Sequence, residues 1–434
     1  MDNFLNIDER YVLRHQTMKR LSDIRIFVMY FKILFMKSKN LFITFAFTVA
    51  LYSCSRNKSS NFITEIIKSD SIVTEVIVNG NKVNVLSLND LKTNIQTIPL
   101  SKLVENCSLI QLENVDTEDR WATQDIVVTE KYIGVRYAVD RYRLFDRSGK
   151  FLSDIPSPKD YDLYFSDSFI DDKNELIYFT DDDRKISLYK TSGSLVKEIL
   201  TPRTMRYPRI SVSDGILTVI QTPNRWRTWN YPGINVDSVV IQFDVNSGDV
   251  LNEIAPPAQF MLKESLGRSF RIYSRKNVSG IFDIQHSAID TLYHFDVYNH
   301  QIVPVFTITS RLSSVMTLPF RNHFQLNRNL IVSCTYNNDR GMIETMIATD
   351  LRFKTASWVK VVNDYFGNIP VANECEFING YYVQCMRVKD FIYDIKKRLA
   401  DRNCTERDKK KLNEILATLD KDGNNVVFIG KLKN

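Results

Sequence analysis

Residues 144–155 read LFDRSGKFLSDI, which is an apolar stretch, a polar turn ending in Gly149, and a second stretch that alternates apolar and polar residues. This pattern is typical of an antiparallel hairpin, because side chains of a strand alternate between its two faces and Asp, Ser and Gly favour turns. The pattern recurs along the chain. Further copies begin at Leu188, Gln242 and His294, a degenerate copy begins at Ile347, and a sixth begins at Leu419.

A second hairpin pattern precedes each copy, as in Ile126–Val128 followed by Tyr132 and Ile133. Each unit therefore has four strands, and six units follow one another at roughly 45–70 residues. One such sheet cannot bury both faces alone, whereas blades packed around an axis bury them against their neighbours. The repeats predict an all-β fold, a six-bladed β-propeller of four-stranded antiparallel blades.

Two units carry extra residues between their second and third strands. In unit three the surplus falls around residues 222–236. In unit six it covers about residues 387–419, where Thr405 with Asp408 resembles a helix start. The apolar residues there follow helical spacing and are Val388, Phe391, Ile392, Ile395 and Leu399. We predict a small helical insertion in the last blade, a propeller over 96–434, and a tether with a small hairpin over 54–95.

The N-terminal region has the organisation of an export signal. A basic stretch from Met36 precedes the apolar run 41–52, and Leu51-Tyr52-Ser53-Cys54 resembles a lipobox, the lipidation signal of bacterial lipoproteins. We expect residues 36–53 to be a signal peptide and Cys54 to be acylated; the alternative is a buried strand with an incidental cysteine. Residues 1–35 then indicate a start site assigned too early, or else a cytoplasmic extension.

The composition excludes several classes of protein. The chain has 434 residues, 44% hydrophobic and 25% charged, which excludes disordered and collagen-like chains. The net charge is +6, but residues 1–53 contain eight basic and four acidic residues, so the remainder carries +2. Nucleic-acid binding needs concentrated positive charge, and we expect no nucleic-acid partner.

Over roughly residues 96–434, the chain resembles the six-bladed β-propeller lipoproteins of Gram-negative bacteria, a set similar in appearance to NHL-repeat propellers. The resemblance rests on the lipobox, on Ile98-Pro99-Leu100, on CSLIQLE at 107–113 and on the C-terminal DGNNVVFIGKLK. It implies a secreted protein anchored in the cell envelope, at the outer membrane, on its periplasmic or surface face. Residues 156–161 lack the glycines of that family's loop after the first blade, so no loop-specific role is carried over.

Candidate binding residues lie in the insertion of unit three, which contains Trp226, Arg227, Trp229 and Tyr231. Aromatic rings can stack on sugars and arginine can pair with an anion. The alternative is that these rings simply cover a blade edge or pack on the helical hairpin. His286 and His323 are candidate metal ligands for Ca or Zn in a central channel. No HExxH motif is present and no cofactor is implied by the spacing.

These observations favour a binding or scaffolding module, expected to be a monomeric propeller, for a glycan, a peptide or an envelope protein. The competing class is a propeller enzyme, a lyase or hydrolase with a metal in the channel. A third interpretation is a structural subunit of a larger envelope complex.

Overall fold

Six β-sheets, each built on a four-stranded antiparallel blade, surround a central channel in the computed structural model of the protein. The structure describes residues 65–67, 72–78, 80–91, 94–115, 125–137, 141–156, 165–181, 185–201, 205, 207–222, 238–257, 260, 272–286, 291–309, 320–327, 329–338, 341–350, 354–372 and 375–433. All of them belong to one compact unit, Ile63–Asn434. Among the described residues, no helix is long and apolar enough to cross a membrane.

Five strands precede the first complete blade. They are β1 (Glu65–Ile67), β2 (Val73–Val78), β3 (Asn81–Ser87), β4 (Gln96–Pro99) and β5 (Ser108–Gln111). Two short 3₁₀ helices, Leu88–Asp90 and Leu100–Lys102, follow β3 and β4. Strands β2 and β3 form a hairpin around Gly80, whose φ of +80° suits glycine.

The blades follow in chain order, and each begins with its innermost strand. Blade one consists of β6 (Asp125–Val128), β7 (Tyr132–Arg136), β8 (Arg141–Asp146) and β9 (Phe151–Pro156). Blade two consists of β10 (Phe165–Asp171), β11 (Leu176–Asp181), β12 (Lys185–Lys190) and β13 (Leu195–Leu200). Blade three consists of β14 (Arg209–Ser213), β15 (Ile216–Ile220), β16 (Val240–Asp244) and β17 (Val250–Ile254).

Blade four consists of β18 (Ile272–Val278), β19 (Ile281–His286), β20 (Thr291–Asp296) and β21 (Gln301–Thr309). Blade five consists of β22 (Phe320–Gln325), β23 (Asn329–Asn338), β24 (Gly341–Asp350) and β25 (Thr355–Asn363), with a 3₁₀ helix at Asp364–Phe366 and the short β26 (Ile369–Pro370). Blade six contains β27 (Glu376–Ile378), β28 (Tyr381–Met386) and β29 (Val426–Lys431).

The fourth strand of blade six comes from the other end of the chain. Strand β5 pairs antiparallel with β29, so the blade has the order β27-β28-β29-β5 and joins the two ends of the ring. This corrects the predicted sixth repeat. The turn at Asp420–Gly423 leads into the third strand of the blade, not the fourth, because the helical insertion ends at Thr418.

The N-terminal chain also extends the two preceding blades. Strand β3 pairs parallel with β21 at the outer edge of blade four. Strand β4 pairs parallel with β25 at the outer edge of blade five. The chain therefore runs along the outside of blades four, five and six in turn, and covers sheet edges that would otherwise be free to pair with another chain.

Six apolar clusters fill the spaces between consecutive blades, one cluster for each space. Between blades one and two, Tyr142 meets Phe179 edge to face at 4.7 Å. Between blades six and one, Ile110 of β5 packs with Val128 and Val427. Because the sixth cluster joins the last blade to the first, the ring is closed. This confirms the predicted six-bladed propeller.

The predicted helical insertion is also confirmed. Helices α1 (Val388–Ala400) and α2 (Glu406–Thr418) lie between β28 and β29. The backbone N–H of Asp408 donates to Thr405 Oγ1 at 3.1 Å, which caps α2 at its N-terminus. Phe391 of α1 packs edge to face on Phe428 of β29 at 5.0 Å, so the hairpin is fixed to the blade by buried aromatic contact.

Candidate functional site

Charged residues open the innermost strands at one end of the propeller. Asp125, Arg209 and Glu376 are the first residues of β6, β14 and β27. We call this end the mouth face, and we call the opposite end, with the tight turns that follow the innermost strands, the turn face. Since the three strands run in the same direction along the channel, their first residues converge on the same opening.

Three blades carry extra chain at the mouth face. In blade three, Ile220 pairs with Arg209, and Gln221 Nε2 donates to Ser238 O at 3.2 Å, so residues 221 and 238 hold the two ends of the insertion together there. In blade five, the pairing of β23 with β24 continues to Asn338 and Gly341, whereas the pairing of β24 with β25 ends at Met346. In blade six, the helical hairpin leaves and re-enters the sheet at this end.

A cavity of about 510 Å³ lies in the channel on the mouth-face side. We call it the mouth cavity. Its described lining comes from blades one, two, three, four and six, and includes the charged side chains of Asp125, Arg136, Asp167, Arg209, Arg275 and Glu376. A volume of this size is in the range that holds small ligands.

One group of charges joins blades one, two and three. Arg209 Nη1 lies 2.9 Å from Asp167 Oδ1 and 3.7 Å from Asp125 Oδ2. Asp125 Oδ2 is also 3.9 Å from Arg136 Nη2. The backbone N–H of Ile210 donates to Asp167 Oδ2 at 2.7 Å, which fixes that carboxylate against β14.

Burial and charge act in opposite directions on this group. Burial raises the pKa of the Asp167 carboxyl, and the positive charge of Arg209 only partly offsets the effect. Burial lowers the pKa of Arg209, but the Asp167 and Asp125 carboxylates outweigh it and raise that pKa. Arg209 therefore stays positive at every physiological pH, and the group presents fixed ionic hydrogen-bonding positions to a polar ligand.

A second group joins blades four and six, the two blades on either side of blade five. Arg275 donates to Glu376 from Nε at 2.9 Å and from Nη2 at 3.3 Å, and its guanidinium stacks on Phe324 at 4.6 Å. Asn277 Nδ2 donates to Phe377 O at 2.7 Å, and the Gly380 N–H donates to Asn277 Oδ1 at 3.2 Å. These bonds separate blade five from the channel, and no described residue of blade five lines the mouth cavity.

A second cavity, of about 1000 Å³, opens on the turn face and is lined by the turns that follow the innermost strands. Ser211, Lys276 and Asn379 line both cavities. We call these three residues the neck. Lys276 Nζ donates to Ser211 Oγ at 3.4 Å and lies 5.3 Å from the centre of the Phe282 ring.

A buried titratable pair lies between blades four and five, away from both cavities. His294 Nε2 is 3.5 Å from Asp283 Oδ1, and the Gln325 N–H donates to Asp283 Oδ2 at 3.2 Å. Burial raises the pKa of Asp283 to about 8, and the Arg275 charge acts in the opposite sense. Burial lowers the pKa of His294 to about 4. Between these two values the pair holds one proton.

Of the two predicted metal ligands, the structure describes only the side chain of His323. His323 is buried between blades four and five, with its ring 6.1 Å from that of Phe306, and it lines neither cavity. The backbone N–H of His323 donates to Gln285 Oε1 at 3.0 Å. Gln285 precedes His286, whose side chain is outside the described residues. The described residues contain no group of three or more His, Cys, Asp or Glu side chains able to hold a metal ion.

The other predicted site residues lie outside the described part of the chain. These are Cys54 and the binding candidates Trp226, Arg227, Trp229 and Tyr231. Sequence reasoning missed the mouth cavity. The available signal was a charged residue at the first position of an innermost strand, as in Asp125, Arg209 and Glu376.

Comparisons with known proteins add little to this description. No family description and no curated protein matches the chain. The computationally designed Ika8 protein is 10% identical with a TM-score of 0.32, and the match covers 74% of this chain and 79% of Ika8. The computationally designed Ika4 protein is 10% identical with a TM-score of 0.27, covering 46% of this chain and 98% of Ika4. The fold assignment rests on the blades themselves.

Proposed function

We propose that the protein is a lipid-anchored β-propeller of the cell envelope that binds a glycan, a peptide or a partner protein at its mouth face. The observation that carries this proposal is the mouth cavity. Five blades contribute to it, and its arginines and carboxylates are held by one another and by backbone groups. Preformed polar groups in a concave site are the usual basis of ligand orientation.

The insertion of blade three supports the choice of the mouth face. Its ends at residues 221 and 238 are tied together beside Arg209, at the same end of the propeller as the cavity. We include Trp226, Arg227, Trp229 and Tyr231 in the proposal as ligand contacts, because they lie between these two ends in sequence. Aromatic rings beside an ionic cavity would suit a ligand with both apolar and polar faces.

Binding is tested with the full-length protein in detergent on glycan and peptide arrays, followed by titration of the best ligand. Arg209→Gln removes a charge-assisted contact, and we expect binding about tenfold weaker or more. Lys409→Gln, on the exposed side of α2, is the control and should bind normally. Array ligands that bind equally well to the wild type, to Arg209→Gln and to Trp226→Ala/Trp229→Ala would contradict a site at the mouth face.

The anchor is tested separately. Cys54→Ala should abolish labelling of the protein by a radioactive or clickable fatty acid and release it from membranes. An unchanged labelling pattern would show that the resemblance of residues 51–54 to a lipobox does not extend to function.

A further inference from the structure

The charges that line the mouth cavity are unequal in number. Four cations, Arg136, Arg209, Arg275 and Lys276, face three carboxylates, Asp125, Asp167 and Glu376. Each arginine has a carboxylate within 4 Å. Lys276 forms no such ion pair with any residue that the structure describes, and its nearest hydrogen-bonding partner is the Ser211 hydroxyl.

The surroundings of Lys276 offer further donors. Ser274, two residues earlier on β18, has a buried Oγ with no hydrogen-bond partner among the described residues. Ser211 is buried beside the lysine on β14. Asn379 completes the neck from blade six, at a turn position with φ of +53°. The ammonium, hydroxyl and amide groups that converge on this space can each donate a hydrogen bond to a bound ligand, and none of them carries a negative charge.

A partly buried ammonium group without a counterion is less stable in its charged form. Burial lowers the pKa of Lys276, and the Asp214 carboxylate on the turn face opposes the effect from a distance. An anion bound in the neck would supply a negative charge next to Lys276 and accept hydrogen bonds from the Lys276 ammonium group and the Ser274 hydroxyl. It would enter from the mouth face, because acidic residues such as Asp171, Asp172 and Asp214 line the cavity on the turn face.

We propose that the neck, formed by Lys276, Ser211 and Asn379 together with Ser274, binds a compact oxyanion, the carboxylate, sulfate or phosphate group of a ligand. The inference deepens the proposed function, because it names the chemical group that the deepest part of the mouth cavity recognises. The arginines at the mouth hold one another in place with their carboxylates, whereas the lysine in the neck supplies the charge for the ligand. Neutral sugars would lack this contact.

The test is calorimetric titration of the full-length protein in detergent with sodium sulfate, sodium phosphate and sodium acetate, at constant ionic strength maintained with chloride. We expect one site that takes at least one of these anions in preference to chloride. Lys276→Met should weaken that binding about tenfold or more, and Lys276→Arg should largely preserve it. Lys431→Met is the matched control, since Lys431 lines only the turn-face cavity and pairs with Glu130.

A second variant tests the neck in case Lys276→Met does not fold. Asn379→Gly keeps the positive φ that glycine accepts readily, and removes only the amide, so it should weaken anion binding several-fold in a folded protein. Absence of anion binding by the wild type, or equal binding by the wild type, Lys276→Met and Asn379→Gly, would overturn the inference. Either outcome would leave the array result for Arg209→Gln unaffected, so the two proposals fail independently.

Discussion

At the scale of single residues, the most informative buried group is Asp283. Its side chain is 5% exposed and touches His294, with Arg275 as the nearest cation that affects it. A carboxyl group with a raised pKa in the folded state favours folding at low pH, and this contribution is lost as the pH rises toward about 8. A histidine with a lowered pKa has the opposite effect, because its folded form resists protonation as the pH falls from about 6.5 toward 4.

The two effects compensate between about pH 4 and 6.5, since the folded and unfolded pair then bind one proton each. Above that range only the Asp283 effect remains, and the free energy of unfolding should fall by up to about 2 kcal/mol between pH 6.5 and 8. Asp283→Asn keeps the acceptor for the Gln325 N–H and removes the titration. We expect the variant to lose this decline.

The measurement is urea denaturation at pH 6 and pH 8.5, with Asp422→Asn in an exposed turn as the matched control. The control should follow the wild type at both pH values. A decline in the Asp283→Asn protein as steep as that of the wild type would show that another group is responsible.

At the scale of secondary-structure elements, β5 determines whether the ring is closed. Ile110 of this strand is 8% exposed and packs between blades six and one, whereas Ile95 is 63% exposed just before β4. Ile110→Ala should therefore lower the free energy of unfolding by about 2 kcal/mol or more. Ile95→Ala removes the same atoms from a solvated position and should change it by less than about 0.5 kcal/mol.

Denaturant unfolding followed by tryptophan fluorescence compares the two isoleucine variants. We expect one transition, shifted as a whole in Ile110→Ala, because β5 connects the first and last blades. Equal midpoints of unfolding for the two variants would mean that the packing of β5 between blades six and one contributes little to stability.

The hairpins are the part of the fold that the sequence predicts well, because the residues that specify a hairpin are close together in the chain. The repeat beginning at Leu144 and the helical spacing from Val388 both depend on residues close together in the chain. The turn at Asp420 resembles the turn at Asp146, because in both turns the carboxylate accepts the backbone N–H of the second residue after it. A turn is present at Asp420 as the pattern predicts, but a turn pattern does not specify which strand of the blade follows it.

At the scale of the whole molecule, the closure of the ring and the mouth cavity depend on distant partners. Ser108 of β5 pairs with Ile429 of β29, and Arg275 of blade four forms an ion pair with Glu376 of blade six. Alternation of apolar and polar residues shows which positions of a strand are buried, but not which polar residues face the channel or which blades meet there. For this reason the sequence pattern does not show that Lys276 lies in the neck of the channel, whereas the structure does.

The path of the N-terminal chain around blades four, five and six also constrains the order of folding. Strands β3, β4 and β5 are synthesised before β21, β25 and β29, the strands with which they pair. Each of these three strands stays without its pairing partner until most of the chain has been synthesised, and an unpaired strand can pair with a wrong segment. Pairing between residues so far apart in sequence is slow. We therefore expect the pairing of β5 with β29, which closes the ring, to be among the last steps of folding.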